Sequence, residues 1–461
     1  MMRLSEAAAA LGAELDGADA DIVSVSNDTR SLEPGALYVA LRGERFDGHA
    51  FVNQAEAAGA TGALVDQTAV SRGLQTPLPS IVVPDTRRAL GALARAWRDR
   101  FQMPVIAVCG SNGKTTVKEM IAAILRARFG EQHVLATPGN MNNDVGLPLT
   151  LLSLRQDHRA AVVELGVNHP GETAILADIV RPTVGLINNA QREHQEFLHS
   201  VEEVAREHAA LIEALPADGT AVVNADDTFA QEWIRSAGAR RLVTFGLDRD
   251  AVLAGRYRLE GLGSRLQIHG ADEPIEVSLA TAGLHNVRNA LAAAAAVTAA
   301  GIGGEAIRQG LEVFRPVAGR LAPRRGRGGA WIIDDSYNAN PDSVRAAIDV
   351  LGHMAAPRIL VLGDMGEVGE RGEEFHAEIG RYAREAGLDA VMCVGPLAAR
   401  TAQAFGSGGE HFDSREDLVD ALRSAPGGQA SLLIKGSRFM RMEQVVEAVL
   451  DDTTRDASSG R

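Results

Sequence analysis

Short apolar runs alternate along this chain with segments whose apolar residues recur at helical spacing. Runs at 36–41 (ALYVAL), 62–65 and 81–83 read as strands and 86–100 as a helix, which makes residues 1–103 a small α/β unit. Pro104 then breaks the chain before a fully apolar run at 105–109 (VIAVC). From there the order strand, loop, helix repeats, with strands expected at 160–165, 184–188 and 221–224. Such alternation predicts a mainly parallel sheet covered by helices. A long helix is expected over 285–300, stopped by Gly301. The stretch 315–329 (RPVAGRLAPRRGRGG) is rich in Pro, Gly and Arg and reads as a domain boundary. Beyond it, runs at 331–334, 359–362, 390–394 and 432–434 predict a doubly wound, Rossmann-like unit. The expected organisation is α/β in three domains, 1–103, 104–315 and 316–461. The polar tail after Asp451 is expected to be disordered.

Composition narrows the class. A chain of 461 residues is too long for one core, and 46% hydrophobic with 23% charged residues fits a globular protein. Aromatics are only 4%, so the cores must be built from Ala, Val, Leu and Ile, and the Ala-rich stretches 7–10 and 292–296 read as closely packed helices. No apolar run is long enough to span a bilayer, and the start lacks the basic and apolar regions of a signal peptide. Cys109 and Cys393 both lie in apolar, strand-like runs and read as reduced buried thiols, which places the protein in the cytoplasm. A net charge of -14 argues against nonspecific nucleic-acid binding. Basic residues are nearly all Arg, the exceptions being Lys114, Lys118 and Lys435. A compact ammonium kept in so Lys-poor a chain marks positions where Arg would not serve.

The strongest local signal is VIAVCGSNGKTTVKEMIAAILRARF. An apolar strand runs into Gly110, Ser111, Asn112, Gly113, Lys114, Thr115 and Thr116, then into a helix with Val117, Met120, Ile121, Ile124 and Leu125 on one face. Glycines let backbone N–H groups curl around phosphate oxygens, and the helix N-terminus adds partial positive charge. Lys114 can reach the β- and γ-phosphates of ATP, and the Thr115 hydroxyl can ligate Mg²⁺. Val108 stands where the longer phosphate-loop pattern has its first glycine, so the motif is a shortened one.

GSNGKTT in this shortened form resembles the loop of the Mur ligase family, and further segments follow in the family's order over nearly the whole chain. Residues 27–51 (NDTRSLEPGALYVALRGERFDGHAF) resemble its UDP-binding N-terminal domain. Residues 137–152 (TPGNMNNDVGLPLTLL) and 164–172 (ELGVNHPGE) resemble central-domain motifs, and 283–295 (GLHNVRNALAAAA) resembles the ATP-site helix. DDSYNANPDS, LGDMGEVG and KGSR resemble the C-terminal domain. YNANP and GDMGE point to the member that adds D-alanyl-D-alanine, and the DNPR segment of the member acting before it is absent. The resemblance implies ATP-dependent ligation of D-alanyl-D-alanine to UDP-N-acetylmuramoyl-tripeptide through an acyl phosphate. Mg²⁺ is the implied cofactor and a monomer the implied state.

Residue by residue, Glu164 closes the apolar run AAVVE, and a carboxylate at the carboxyl end of a parallel strand points into the ligand crevice. It is expected to bind Mg²⁺ beside the phosphate loop. By resemblance, His194 with Glu196 matches an H-x-E element and serves a second Mg²⁺. Asn286 and Asn289, spaced to share a helix face, are by resemblance adenine contacts, with N-capping by Asn286 as the alternative. Arg320 matches the position that reaches ATP phosphates on domain closure, and Asp335 matches a ribose contact. Arg324, Arg325 and Arg327 read as solvated linker. Tyr337, Asn338 and Asn340 form either a simple polar turn or part of the D-alanyl-D-alanine site. Lys435 and Arg438 are candidates for a peptide carboxylate. Thr29, Arg30, Arg42, Asp47 and His49 are candidates for the uridine diphosphate, the two arginines foremost because a diphosphate needs cations. There is one departure: the family carries a carbamylated lysine after the H-x-E element, and here no lysine lies between Lys118 and Lys435. His208 occupies the position, either as a metal ligand or as a space-filler. Other readings are another Mur or folylpolyglutamate-type ligase, or a nucleotide-binding regulatory module.

Overall fold

The computed structural model describes residues 1–43, 45–270, 273–424 and 430–450, so the expected disorder of the tail after Asp451 lies outside the described residues. The first sheet contains β1 (Leu15–Asp16), β2 (Ser24–Ser26), β3 (Ala36–Val39), β4 (Gly62–Asp66) and β5 (Ser80–Val83) in the order β1-β5-β4-β3-β2. Only β1 runs antiparallel to its neighbour. Helix α1 (Thr86–Arg98) follows, capped by the Asp85 side chain on the backbone N–H groups of Arg87 and Arg88.

The central sheet is built from β6 (Val105–Cys109), β7 (Val134–Ala136), β8 (Ala160–Glu164), β9 (Val184–Ile187), β10 (Thr220–Asn224), β11 (Arg241–Gly246), β12 (Leu253–Glu260), β13 (Gly263–His269) and β14 (Ile275–Leu279). Their order is β14-β13-β12-β11-β10-β9-β6-β8-β7. From β7 to β12 the pairing is parallel, and β12 to β14 form an antiparallel meander at one edge. The sequence reading did not anticipate that meander, because its strands alternate buried and exposed positions instead of forming apolar runs. Helix α2 (Lys114–Phe129) follows β6, α3 (Glu172–Val180) follows β8 and α4 (Val201–Glu213) follows β9. Next come α5 (Leu284–Ala299) and α6 (Gly304–Val313). Every residue of the alanine run 292–296 is fully buried on α5, as the close-packing reading requires.

The third sheet has β15 (Ala322–Arg325), β16 (Trp331–Asp335), β17 (Arg358–Gly363), β18 (Ala390–Val394), β19 (Gly409–Phe412) and β20 (Ser431–Lys435) in the order β15-β16-β20-β17-β18-β19. It is parallel except for β15. Helices α7 (Pro341–Gly352) and α8 (Gly372–Glu385) pack on it. Mixed α/β with parallel sheets is thus the observed class.

Two boundary readings change. The stretch 315–329 is not bare linker: β15 pairs with β16, Arg324 binds Glu447 at 3.0 Å, and the Arg325 guanidinium lies 3.5 Å from the centre of the Trp331 ring. Between residues 103 and 104 the sheets separate but the apolar core does not. One buried cluster runs from Leu4, Leu37 and Ile81 through Leu90 and Trp97 to Val105, Val163 and Leu176. Helix α1 is the bridge, with apolar side chains serving both sheets. Among the described residues no helix is long and apolar enough to cross a membrane.

Helix α2 owes its depth to α6. A Cβ on Gly310 would overlap the backbone of Ala123 and Ile124 on α2. Gly310→Ala should therefore force the helices apart and destabilise the protein by about 1–3 kcal/mol. A lower Tm for the nucleotide-free variant is expected, and an unchanged Tm would show that the helices separate without cost.

Candidate active site

The loop between β6 and α2 lies at the carboxyl ends of the parallel strands. Gly110 has φ +136° and Gly113 has φ +82°, both open to glycine at little strain. At Gly113 there is a second reason, since a Cβ would collide with Asn289 Oδ1 and Asn188 Nδ2. Asparagine side chains hold the loop from below and beside it. Asn188 Nδ2 donates to the Asn112 carbonyl at 2.8 Å and to Asn289 Oδ1 at 3.0 Å. Asn189 accepts from the Asn112 N–H at 2.9 Å, and its carbonyl accepts from the Ser111 N–H at 3.0 Å. The Ser111 hydroxyl accepts from the Gln191 N–H at 2.8 Å. Asn188, Asn189 and Gln191 escaped the sequence reading, although they directly follow β9 and an amide run at a strand end was the available signal.

Asn286 and Asn289 are placed differently from the expectation. Gly283, not Asn286, is the N-cap of α5. Asn286 Nδ2 donates to the Ala282 carbonyl at 2.8 Å, and its Oδ1 accepts from Asn289 at 3.1 Å. Both amides are buried and engaged under the phosphate loop, which they support. Lys114 Nζ donates to the carbonyls of Gly110 at 2.5 Å and Ser111 at 3.2 Å and pairs with Glu193 at 3.2 Å.

Glu164 stands where expected. It closes β8 beside Val108 of β6, and it is buried. Asn142 Nδ2 donates to Oε1 at 2.8 Å, and Gly166 leaves room for that asparagine. Oε2 is buried with no hydrogen-bond partner. A carboxylate oxygen so placed is costly unless a cation or donor arrives. With Thr115 and Thr116 at the start of α2, this oxygen makes the site fit a hard, oxygen-seeking divalent ion.

His194 and His208 do not join Glu164 in one metal group. Among the described residues no three His, Cys, Asp or Glu side chains converge on a cation position. His194, at φ +47°, turns its Nδ1 to Glu367 at 2.5 Å, and Glu367 is the last residue of the GDMGE motif. His208 is fully buried between Cys109 Sγ, 3.0 Å from Nδ1, and Glu193 Oε1, 3.4 Å from Nε2. Burial alone would lower its pKa, but Cys109 and Glu193 more than offset this and raise it to about 10. Both ring nitrogens of His208 thus face partners inside the protein, Cys109 and Glu193. Glu193 is the counterpart: burial raises it, while Lys114 and the two histidines bring it down to about 2.

The C-terminal unit docks directly on this loop. Asn340 caps α7 by accepting from the Ser343 N–H at 2.8 Å and donates to Asn112 Oδ1 at 2.9 Å. Arg320 Nη2 approaches Thr115 Oγ1 at 3.4 Å, with its guanidinium 4.0 Å from the Tyr337 ring centre. Arg438 lies over the same ring at 5.6 Å and stays exposed. Arg192 is the main clamp, paired with Asp342 of α7 at 2.6 Å and Glu378 of α8 at 2.8 Å. Neither Arg192 nor its partners were singled out from sequence, because charges so far apart in the chain carry no local pattern. Lys435 and Asp335 pair with each other at 2.5 Å, Asp335 also accepts from the Leu321 N–H, and Lys435 donates to the Asn338 carbonyl. Burial lowers the Lys435 pKa, opposed by Asp335.

In the first unit, Arg42 bonds Asp66 at 2.7 Å and contacts Asp47, and Asp47 bonds the buried His49. These three candidates are brought together. Arg30 pairs with Asp28 on an exposed turn, and Thr29 faces Gln54 at 3.5 Å.

Loss of the clamp should loosen the C-terminal unit. Arg192→Ala is expected to raise the radius of gyration in small-angle X-ray scattering and to lower turnover about tenfold or more, as displaced reacting groups do. An unchanged scattering curve would show that the remaining contacts hold the units together.

Comparison with known proteins closes the case for the family. Sequence models for the Mur ligase family catalytic domain, the Mur ligase middle domain and the Mur ligase glutamate ligase domain match residues 21–98, 108–297 and 319–438. The UDP-N-acetylmuramoyl-tripeptide--D-alanyl-D-alanine ligase of Escherichia coli (strain K12) is 40% identical, covering 98% of this chain and 99% of that protein. The Haemophilus influenzae protein of the same name is 37% identical over 98% and 99%. Among solved structures, MurF from Acinetobacter baumannii superposes with a TM-score of 0.89 at 33% identity, covering 96% of this chain and 97% of that one. MurF ligase from Thermotoga maritima in complex with ADP gives 0.79 at 27% identity, over 92% and 96%. A phosphate loop clamped to a C-terminal unit by its own motif residues, matched from end to end by these relatives, establishes that the chain belongs to the Mur ligase family.

Proposed function

We infer that this protein is the ATP-dependent ligase that joins D-alanyl-D-alanine to UDP-N-acetylmuramoyl-tripeptide in peptidoglycan synthesis. Full-length similarity to ligases of that name carries the reading. The products are UDP-N-acetylmuramoyl-pentapeptide, ADP and phosphate.

The terminal carboxylate of the tripeptide attacks the γ-phosphorus of ATP, and the bond to the β-phosphate oxygen breaks, releasing ADP. The amine of D-alanyl-D-alanine then attacks the acyl carbon, the bond to the phosphate oxygen breaks, and the amine proton is lost. Transfer of this kind depends on positioning and charge neutralisation. Lys114 supplies a mobile cation at the loop, and Arg320 supplies a second from the C-terminal unit. Thr115 and Glu164 would hold Mg²⁺, which when bound neutralises phosphate charge; the unpartnered Oε2 of Glu164 supports that assignment. The loop residues Gly110, Ser111, Asn112, Gly113 and Thr116 wrap the phosphates; the N–H groups of Ser111 and Asn112 are held by Asn189 and fix the shape of the loop, and those at Gly113 and the start of α2 face the phosphates.

Arg42, Asp47 and His49, with Arg30 and Thr29, take the uridine diphosphate end. Tyr337, Asn338 and the exposed Arg438 receive the dipeptide. The working division is a UDP-precursor domain at 1–103, an ATP domain at 104–315 and a ligase domain at 316–461. The protein acts as a cytoplasmic monomer.

Phosphate release should require both UDP-N-acetylmuramoyl-tripeptide and D-alanyl-D-alanine, and ¹⁸O in the tripeptide carboxylate should appear in the released phosphate. Equal rates with single amino acids would sink the substrate assignment, and unlabelled phosphate would exclude the acyl phosphate. Lys114→Ala should lower turnover by about a hundredfold or more, as loss of a preorganised charge does. A near-normal rate would move the phosphate site elsewhere.

A further inference from the structure

Behind the phosphate loop runs a buried line of polar side chains that the ligase reading leaves unused. Cys109 ends β6, and its Sγ lies 3.0 Å from His208 Nδ1 on α4. His208 Nε2 lies 3.4 Å from Glu193 Oε1, and Glu193 Oε2 lies 3.2 Å from Lys114 Nζ and 3.8 Å from His194 Nε2. Exposure is 1% at His208 and 7% at Glu193. A carboxylate taken this far from water must be paired on more than one side. Lys114 and His208 pair it from opposite ends.

The order of the line matters. Cys109 and His208 belong to a central strand and a packed helix, so they are fixed by the core. Glu193 belongs to the loop that follows β9, whose backbone is free of the sheet ladder. Lys114 has two loop carbonyls and Glu193 as partners, and Glu193 is its one carboxylate among the described residues. A lysine that must swing onto a phosphate has a long, flexible stem, and a fixed counter-charge limits where the ammonium waits.

We propose that Glu193 is a positioning residue for Lys114, held in place by His208, and that this pair stands in for the carbamylated lysine of the family pattern. The negative charge then comes from a side chain already in the chain, and no carbon dioxide is taken up at this site. His208 acts through Glu193 and touches neither nucleotide nor acceptor. The one departure from the family pattern, a histidine in place of the lysine, follows from this change of chemistry.

The inference rests on the ligase reading for its kinetic consequence but not for its structural one. The chain has only Lys114, Lys118 and Lys435, so lysine ¹³Cε–¹⁵Nζ labelling of the full chain allows each side chain to be followed by NMR. Glu193→Gln and His208→Gln should both shift the Lys114 signal and leave Lys435 in place. Wild-type protein under ¹³CO₂ should show no carbamate signal, and bicarbonate added to degassed buffer should not change its rate. Glu193→Gln should lower kcat about tenfold or more, with KM for the tripeptide nucleotide changed by less than about threefold. His208→Gln in the Glu193→Gln background should add little, since residues acting as one unit are not additive. An unmoved Lys114 signal in Glu193→Gln overturns the proposal, as does a carbamate signal or rescue by bicarbonate. Glu193→Gln is nearly isosteric, so it keeps the test alive should His208→Gln fail to fold. Variants that shift the Lys114 signal as expected, with wild-type protein that joins no dipeptide, would overturn the ligase reading and leave the pair's role standing.

Discussion

Gly113 has space for a hydrogen and nothing larger. Its left-handed backbone and the amides of Asn188 and Asn289 against its α-carbon set the phosphate loop at one height above the central sheet. Everything around the site follows from that approach. Asn289 can reach the loop because α5, lined with alanines, sits close to the sheet. Asn188 can reach it because β9 is the parallel neighbour of β6 and ends at the same level. The loop is thus held in one shape before any phosphate arrives, which lowers the reorganisation required on binding.

The contacts between the loop and the C-terminal unit are of a different kind. Arg192 with Asp342 and Glu378, Asn112 with Asn340, and His194 with Glu367 are polar and partly exposed. Apolar side chains, by contrast, join the first unit to the central one across α1. An interface of hydrogen bonds and half-buried ion pairs exchanges readily with water, whereas a continuous apolar core does not. The first unit is therefore built as part of one body with the central unit, and the C-terminal unit is attached by contacts that can open.

Charge is arranged with similar economy. The protein carries a net charge of -14, yet the cations that face the loop, Lys114, Arg320 and Arg192, all come from outside the surface acidity and are held by named partners. Lys435 and Asp335 neutralise each other in the C-terminal unit, where they tie β16 to β20.

The strand and helix order, the phosphate loop and the placing of Glu164 at a strand end were legible in the sequence, because each is a local pattern. An apolar run, a glycine turn and an amphipathic helix are set by neighbours in the chain, and Glu164 needs only the parity of its strand. The edge meander was not legible, since its alternating strands lack that run, and neither was β15 within a stretch that looks like linker. What the residues do once the chain is folded came from elsewhere. That α5 carries Asn286 and Asn289 under the loop, and that Lys435 meets Asp335 on the next strand, was decided by the fold alone. Glu193 gave no signal at all. Its partners Lys114 and His208 lie on separate helices, and a buried charge takes its meaning from whatever the fold brings within a few ångströms of it.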